Sequence, residues 1–313
     1  MMGQSDRYEK KIELLLSNVL QGRSLTQWCS EISKQYLIET KQTVPPFSVL
    51  KFLPYRKTNL KHDKNLTVDG KIEVKGEGFI ITLNVKKLST DFDYNFLLAH
   101  ELAHTFFYDI SKSIPANLTI LPPGSGYLEY VCNKIARFLL MPSGVIQEEL
   151  KKLPQITDDS FTLSIINDLV NKFQVSHVNL LARIIGDETL WNCLFLRFEY
   201  FNTDKSWRLR EKYLPRYLNS QKYFIPPPDK HKKEDSPEKY PSAKNSFLCF
   251  ISSLESELIK RKGKRTSKRI YISEITGPPL TTFFSNINNG EKVLIHASMG
   301  IKNKKINFLL PLP

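Results

Sequence analysis

The chain has 313 residues, and its 45 Lys and Arg against 32 Asp and Glu give a formal net charge of +13. With 41% hydrophobic and 25% charged residues, the composition excludes a wholly disordered chain, a collagen and a coiled coil, and the length predicts two or three domains. No apolar run reaches the roughly 18 residues needed to span a bilayer, and the polar N-terminus has no signal-peptide core. We therefore expect a cytoplasmic protein, in which the four scattered cysteines are reduced and buried.

The first part of the chain predicts two helices and then a small antiparallel sheet. Apolar residues from Tyr8 to Leu20 recur at helical spacing, and a second helix is expected at 25–37. From residue 65 onward, short β-branched runs alternate with the turn sequences Asp69-Gly70 and Gly76-Glu77-Gly78, a pattern typical of antiparallel strands. Two further helices are expected at 91–108 and 127–141, the second ended by Pro142.

The first of these two helices contains the motif HExxH, as His100-Glu101-Leu102-Ala103-His104. On a helix, His100 and His104 lie one turn apart on the same face, so that both imidazoles can bind one metal ion. Glu101 lies about 100° around the helix from His100 and can act as general base on a metal-bound water. The flanking residues are apolar and predict a buried helix, whose three ionisable groups need a shared partner such as a divalent cation. The alternative is a pair of hydrogen-bonded core histidines with a solvated Glu101.

A third ligand is expected downstream of the motif. We predict Glu129, because it shares an apolar face of the helix 127–141 and an acid there needs a partner. Asp109, five residues after His104, is the fallback. The longer metzincin motif is excluded because Phe107 and Ile110 stand where it requires Gly and His. Two histidines and one carboxylate suit Zn²⁺, although Mn²⁺ and Fe²⁺ accept the same set.

Together, the HExxH motif and the segment EYVCNKIARFLLMP at 129–142 resemble the ImmA/IrrE family of metallopeptidases, over about residues 44–183. The resemblance implies a mainly helical, zincin-like peptidase with His100, His104 and Glu129 as metal ligands and Glu101 as catalytic base. It further implies site-specific cleavage of a protein substrate, commonly a helix-turn-helix transcriptional repressor, which releases stress-response, mobile-element or defence genes.

After the peptidase-like segment, a helix at 162–173, a turn at Gln174-Val175 and a second helix capped by Ser176 and closed by Gly186 have helix-turn-helix proportions. Nearby acids such as Asp168, Asp187 and Glu188 are unfavourable beside phosphates, so the sequence favours a structural or substrate-docking role over DNA reading.

Almost all of the excess positive charge lies in the remaining part of the chain. Residues 1–190 hold 22 basic and 21 acidic residues (22 − 21 = +1), and residues 191–313 hold 23 and 11 (23 − 11 = +12). A dense basic cluster consists of Lys260, Arg261, Lys262, Lys264, Arg265, Lys268 and Arg269. It is expected either to bind nucleic acid or an acidic protein, or to be a solvated loop.

The pattern as a whole predicts an α+β protein. Its expected parts are a metallopeptidase domain at 1–155, a helix-turn-helix-like region at 156–190 and a basic α+β domain at 191–313, for which a GAF-like sensor is one interpretation. In the last of these, strands are expected near 191–200, 270–275 and 292–296, and a helix at 247–260. The leading hypothesis is an intracellular metallo-endopeptidase. The alternatives are a DNA-binding regulator with a degenerate peptidase domain, and a ligand-gated peptidase toxin or defence effector.

Overall fold

The computed structural model describes residues 4–88, 90–122, 124–154, 163–201, 206–213, 265–271, 292–299 and 304–311. These residues form an α+β protein that divides into two compact units. The first unit contains residues 5–153 and 165–183, and the remaining described residues belong to the second. The helix pair that the sequence places in a region of its own thus falls largely within the first unit.

The first unit is mainly helical. Its α-helices are α1 (Gln4–Leu15), α2 (Ser17–Leu20), α3 (Leu25–Thr40), α4 (Asp91–Ala103), α5 (Gly126–Leu140), α6 (Ser143–Lys151), α7 (Leu163–Phe173) and α8 (His177–Leu181). Its strands are β1 (Thr58–His62), β2 (Gly70–Lys75), β3 (Gly78–Leu83), β4 (Tyr108–Asp109) and β5 (Ala116–Asn117). Short 3₁₀ turns at Val49–Phe52, Pro54–Arg56 and His104–Phe107 complete it.

The two N-terminal helices that the sequence predicts are confirmed, although the first is divided between α1 and α2 at Leu16. A capping box begins α3: Ser24 Oγ accepts from the Gln27 amide, and the Gln27 side chain accepts from the Ser24 amide. The buried face of α3, which includes Trp28, Cys29 and Ile32, packs against α5. The N-terminal helices therefore form part of the support for the helix that carries the predicted third ligand.

The small sheet has the strand order β1-β3-β2. Strands β2 and β3 are antiparallel, as predicted, and are joined at Gly76, which has a positive φ of 59°. Strand β1 lies parallel to β3 and was not identified from the sequence, because Thr-Asn-Leu-Lys-His has little alternation of apolar and polar residues. The central strand β3 is the most buried, with Phe79, Ile81 and Leu83 almost fully covered.

The helix pair has the predicted arrangement of α7, a turn at Gln174 and a second helix capped by Ser176. The second helix continues from α8 into a π-helical turn at Ala182–Asp187. Arg183 is fully buried, donates hydrogen bonds to Met141 O and Ser143 Oγ, and lies 3.6 Å from the centre of the Phe138 ring. A helix that inserts its arginine into the protein interior favours the structural role over the reading of bases.

The described part of the second unit is an antiparallel sheet with the strand order β7-β6-β10-β9-β8. Its strands are β6 (Cys193–Phe201), β7 (Ser206–Tyr213), β8 (Arg265–Tyr271), β9 (Lys292–Met299) and β10 (Lys304–Pro311). The three predicted strands correspond to β6, β8 and β9, but β8 begins and ends earlier than expected. The predicted helix at 247–260 lies outside the described residues.

Two further expectations concern the cysteines and the membrane. Cys29, Cys132 and Cys193 are free and buried, as predicted, whereas Cys249 lies outside the described residues. Among the described helices, none is both long and apolar enough to cross a membrane.

Candidate metal centre

The two motif histidines lie at the junction of α4 and the 3₁₀ turn that follows it. Thr90 caps the N-terminus of α4 by accepting from the Asp93 amide at 3.1 Å. The sequence predicts a continuous helix to Tyr108, but α4 ends at Ala103 and the chain continues in the 3₁₀ turn. His104 nevertheless keeps helical torsion angles, with φ −59° and ψ −27°. The two imidazoles therefore remain on one face, with ring centres 5.1 Å apart.

Helix α5 brings the predicted third ligand to this face. Ser125 caps its N-terminus and places Glu129 in the first turn, and α5 packs along α4. Glu129 Oε2 lies 2.9 Å from His100 Nε2, and Glu129 Oε1 lies 3.7 Å from His104 Nε2. The candidate ligand atoms of these three residues all lie within 4.8 Å of one another. His100, His104 and Glu129, which we call the ligand triad, could hold a metal ion.

The separations within the ligand triad match those that a small divalent cation requires. In a tetrahedral site with ligand distances of about 2.0–2.1 Å, neighbouring ligand atoms are roughly 3.3 Å apart. The two measured N–O distances, 2.9 and 3.7 Å, lie on either side of this value. Each histidine thus has a different oxygen of Glu129 at a distance close to the spacing of ligand atoms in such a site.

Asn133 sets the orientation of the first histidine. It lies one turn after Glu129 on α5, and its Oδ1 is 3.0 Å from His100 Nδ1. Because an amide oxygen can only accept a hydrogen bond, Nδ1 must carry the proton and Nε2 faces Glu129 as the potential ligand atom. Hydrogen bonding of the second ring nitrogen is the usual support for a metal-binding histidine. The sequence contained this asparagine in the family-like segment, but nothing in the spacing assigned it a role.

The protonation equilibria of the triad are strongly linked. Burial lowers the pKa of His100, but the hydrogen bond to Glu129 and the nearby carboxylates outweigh burial and leave the pKa raised. Burial and the charge of His100 lower the pKa of His104 to about 4, which keeps its nitrogen lone pair available at neutral pH. The hydrogen bond from His100 and the charges of both histidines lower the pKa of Glu129. Without a cation, a proton on His100 thus neutralises Glu129, and a divalent cation would replace that proton.

Glu101 lies beside the ligand triad and is only 6% exposed. Burial raises the pKa of its carboxyl to about 7, with the charge of His100 opposing and that of Glu129 adding to the shift. A divalent cation at the triad would favour the carboxylate and bring this pKa down. The side chain of Glu129, by contrast, is 37% exposed. The site thus combines a buried carboxylate, Glu101, with a partly solvent-exposed one, Glu129.

The fallback ligand Asp109 does not join the triad. Its Oδ1 accepts hydrogen bonds from the Ser111 hydroxyl at 2.6 Å and from the Ser111 amide at 3.0 Å. These hydrogen bonds hold the pKa of Asp109 below its usual value. Asp109 therefore closes a turn after the 3₁₀ segment, and the metal-binding group found among the described residues does not include it.

Arg56 supports the second histidine from outside the motif. It donates from Nε to Thr105 Oγ1 at 3.0 Å and from Nη2 to Thr105 O at 2.6 Å, and its guanidinium lies 4.4 Å from the centre of the Phe106 ring. Burial lowers the pKa of Arg56 to about 10, so the group stays charged at neutral pH. These contacts fix the residue next to His104. No sequence signal indicates them, because the two partners are 49 positions apart.

The basic cluster is described only in part. Arg265, Lys268 and Arg269 belong to β8, which is at one end of the five-stranded order. Lys260, Arg261, Lys262 and Lys264 lie outside the described residues. From Arg265 onward the cluster thus lies in a strand and not in the solvated loop that was one expectation. The binding role of the cluster stays a prediction.

The chain was compared with protein families, curated proteins and solved structures. No protein-family model matches the chain, and no curated protein matches it. Among solved structures, a Mycobacterium tuberculosis transcriptional regulator is similar, with 9% sequence identity and a TM-score of 0.49 over 97% of this chain and 81% of that chain. These values are too low for the likeness to bear on function.

Proposed function

We propose that the protein is a metal-dependent endopeptidase. The observation that carries the proposal is the ligand triad, in which Asn133 orients His100 and the buried Glu101 lies alongside. Two histidines and a carboxylate, with a fourth position left for water, form the ligand set of hydrolytic zinc sites, and we propose Zn²⁺ as the metal. Mn²⁺ and Fe²⁺ are the alternatives for the same donors.

The roles of the residues follow from their positions. A bound divalent cation would polarise a water and the scissile carbonyl and stabilise the developing oxyanion. Glu101 accepts the proton of the attacking water and passes it to the leaving amine. Its position next to both His100 and Glu129 places this carboxyl where it can exchange a proton with a metal-bound water. His104 stays neutral, and Glu129 supplies negative charge that favours binding of the cation.

The substrate class rests on the resemblance of the two motifs to the ImmA/IrrE family. We propose a protein substrate, with a helix-turn-helix repressor as the first to test, cleaved inside the cell to release genes under its control. The exposed side of the triad at Glu129 is compatible with a polypeptide substrate, which needs access from solvent.

Metal analysis is the decisive experiment. The purified wild type is expected to bind one equivalent of Zn²⁺, and His100→Ala and Glu129→Ala to lose it. Asp109→Asn is the matched acid control and should bind like the wild type, because Asp109 is held by Ser111. The proposal is refuted if the wild type contains no stoichiometric transition metal and takes up no added Zn²⁺, Mn²⁺ or Fe²⁺.

A second variant separates catalysis from a purely regulatory role. Glu101→Gln should keep the metal and lose about 10²–10⁴-fold in cleavage rate, the usual contribution of a general base. If the wild type cleaves no repressor and Glu101→Gln leaves the cellular phenotype unchanged, the peptidase-like unit acts as a scaffold and the DNA-binding regulator becomes the better hypothesis.

A further inference from the structure

Gly70, the first residue of β2, lies directly against the side chain of Glu101. A Cβ atom added at this glycine would be 2.7 Å from Glu101 Oε1, 3.0 Å from Cγ and 3.1 Å from Cδ. Three atoms of one side chain would thus be approached at less than normal van der Waals distance. Even alanine at position 70 requires either the glutamate or the strand to move.

The backbone conformation does not explain the glycine. The glycines with positive φ among the described residues are Gly22, Gly76 and Gly124, whereas Gly70 is an extended strand residue paired with Leu83. An L-residue could adopt this conformation without strain. The turn predicted at Asp69-Gly70 corresponds to the bend at residues 67–69 that leads into β2. The feature that requires a glycine at position 70 is the close approach of Glu101.

The backbones of both partners are held in place. The strand is held at this end by the hydrogen bond from the Asn84 amide to Asp69 O at 2.8 Å, next to the fully buried Leu83. Glu101 is 6% exposed, and its helix neighbour Leu102 is fully buried. Because the strand is hydrogen-bonded to its neighbour and the helix is packed on a buried face, the Glu101 carboxylate, at the far end of a flexible side chain, is the group that a side chain at position 70 would displace.

We propose that Gly70 is a positioning residue. Because it has no side chain, it leaves the space that the Glu101 carboxylate occupies beside the ligand triad. Its relevance to catalysis rests on the proposed peptidase function, but the contact itself does not. A 1 Å displacement of a catalytic group can cost about 10²-fold in rate, so Gly70→Ala would impair the reaction without removing any reacting atom.

A double-mutant cycle in urea tests the contact independently of any activity. The four proteins are the wild type, Gly70→Ala, Glu101→Ala and the double variant. We expect the shift in the unfolding midpoint caused by Gly70→Ala to be less favourable in the wild type than in the Glu101→Ala background, where the crowded side chain is absent. Gly144→Ala is the matched control, because a Cβ at Gly144 in α6 meets nothing within 4 Å. Equal shifts from Gly70→Ala in both backgrounds would overturn the proposal.

The visible absorption of bound Co²⁺ provides a second readout. Gly70→Ala should bind Co²⁺ in the same stoichiometry as the wild type but with altered absorption bands, since a displaced carboxylate changes the surroundings of the cation. Gly144→Ala should give the wild-type spectrum. If Gly70→Ala also gives the wild-type spectrum, Gly70 does not position the base. If no protein binds Co²⁺ but the urea cycle shows coupling, the contact stands and the peptidase function fails.

Discussion

The buried ion pair between Lys134 and Glu9 offers the sharpest test of how the candidate site is supported. Lys134 has 0% of its side chain exposed and Glu9 12%, and the ammonium lies 2.7 Å from Glu9 Oε1. Tyr130 donates a hydrogen bond to the same oxygen at 2.7 Å. The pair links α1 to α5, the helix that carries Glu129. We choose Glu9→Met as the perturbation, because it keeps the approximate side-chain volume and removes the acceptor.

The expected loss of stability follows from the burial of Lys134. Removing one partner of a buried ion pair leaves an uncompensated charge and costs about 3–5 kcal/mol, whereas replacing both partners with apolar residues is often neutral. Glu9→Met should therefore lower the free energy of unfolding by about 3–5 kcal/mol. The double variant with Lys134→Met should recover most of this loss, although the Tyr130 hydroxyl still lacks its acceptor.

Urea unfolding followed by circular dichroism measures these differences. The matched control is Glu31→Met, which removes the partner of Arg23 in a surface pair of the same 2.7 Å length with side chains 50% and 33% exposed. Surface pairs contribute about 0–1 kcal/mol, so the control should be close to the wild type. Equal destabilisation by Glu9→Met and Glu31→Met would refute the argument from burial.

Three more variants test other contacts of the first unit. Asn133→Ala should weaken Zn²⁺ binding about 10–100-fold in a competition titration, because it frees the ring of His100; unchanged affinity would contradict the orienting role. Arg56→Lys should lower the free energy of unfolding by about 1–3 kcal/mol in urea, since lysine lacks the planar fork whose two nitrogens bond Thr105 Oγ1 and Thr105 O. Glu149 accepts from two lysines, which lower its pKa below the ordinary 4.5. Its contribution is therefore present at neutral pH and lost as the pH falls through the lowered pKa, so Glu149→Gln should show a smaller loss of thermal stability between pH 7 and strong acid than the wild type.

The sequence predicted the parts of the site that depend on spacing along one helix. His100 and His104 share a face because the residues between them are α-helical and His104 keeps helical torsion angles, although it begins a 3₁₀ turn. Glu129 was predictable because an acid on an apolar helical face requires a partner. The strand β1 was not, since its residues lack the alternation on which strand prediction depends.

Contacts between distant segments could not be predicted from the sequence, for a physical reason. The hydrogen bonds of Arg56 to Thr105 and the approach of Gly70 to Glu101 form only when separate elements pack together. No sequence pattern links the two partners of either contact. Lys134 illustrates the same limit: the structure buries it against Glu9, which is 125 positions away in the chain. Burial of a charge becomes predictable only when the element that supplies its partner can be placed.

Helix α5 shows how these contacts combine at the site. Glu129 and Asn133 are four residues apart and face His100, whereas Tyr130 and Lys134 are also four apart and face Glu9. The two pairs form neighbouring stripes, offset by about 100° around the helix axis. Because the second stripe is anchored to α1, rotation of α5 about its axis would break a buried ion pair. The direction in which Glu129 points is therefore fixed by contacts on a different face of its helix, and the geometry of the ligand triad depends on the N-terminal helix although that helix contributes none of its ligands.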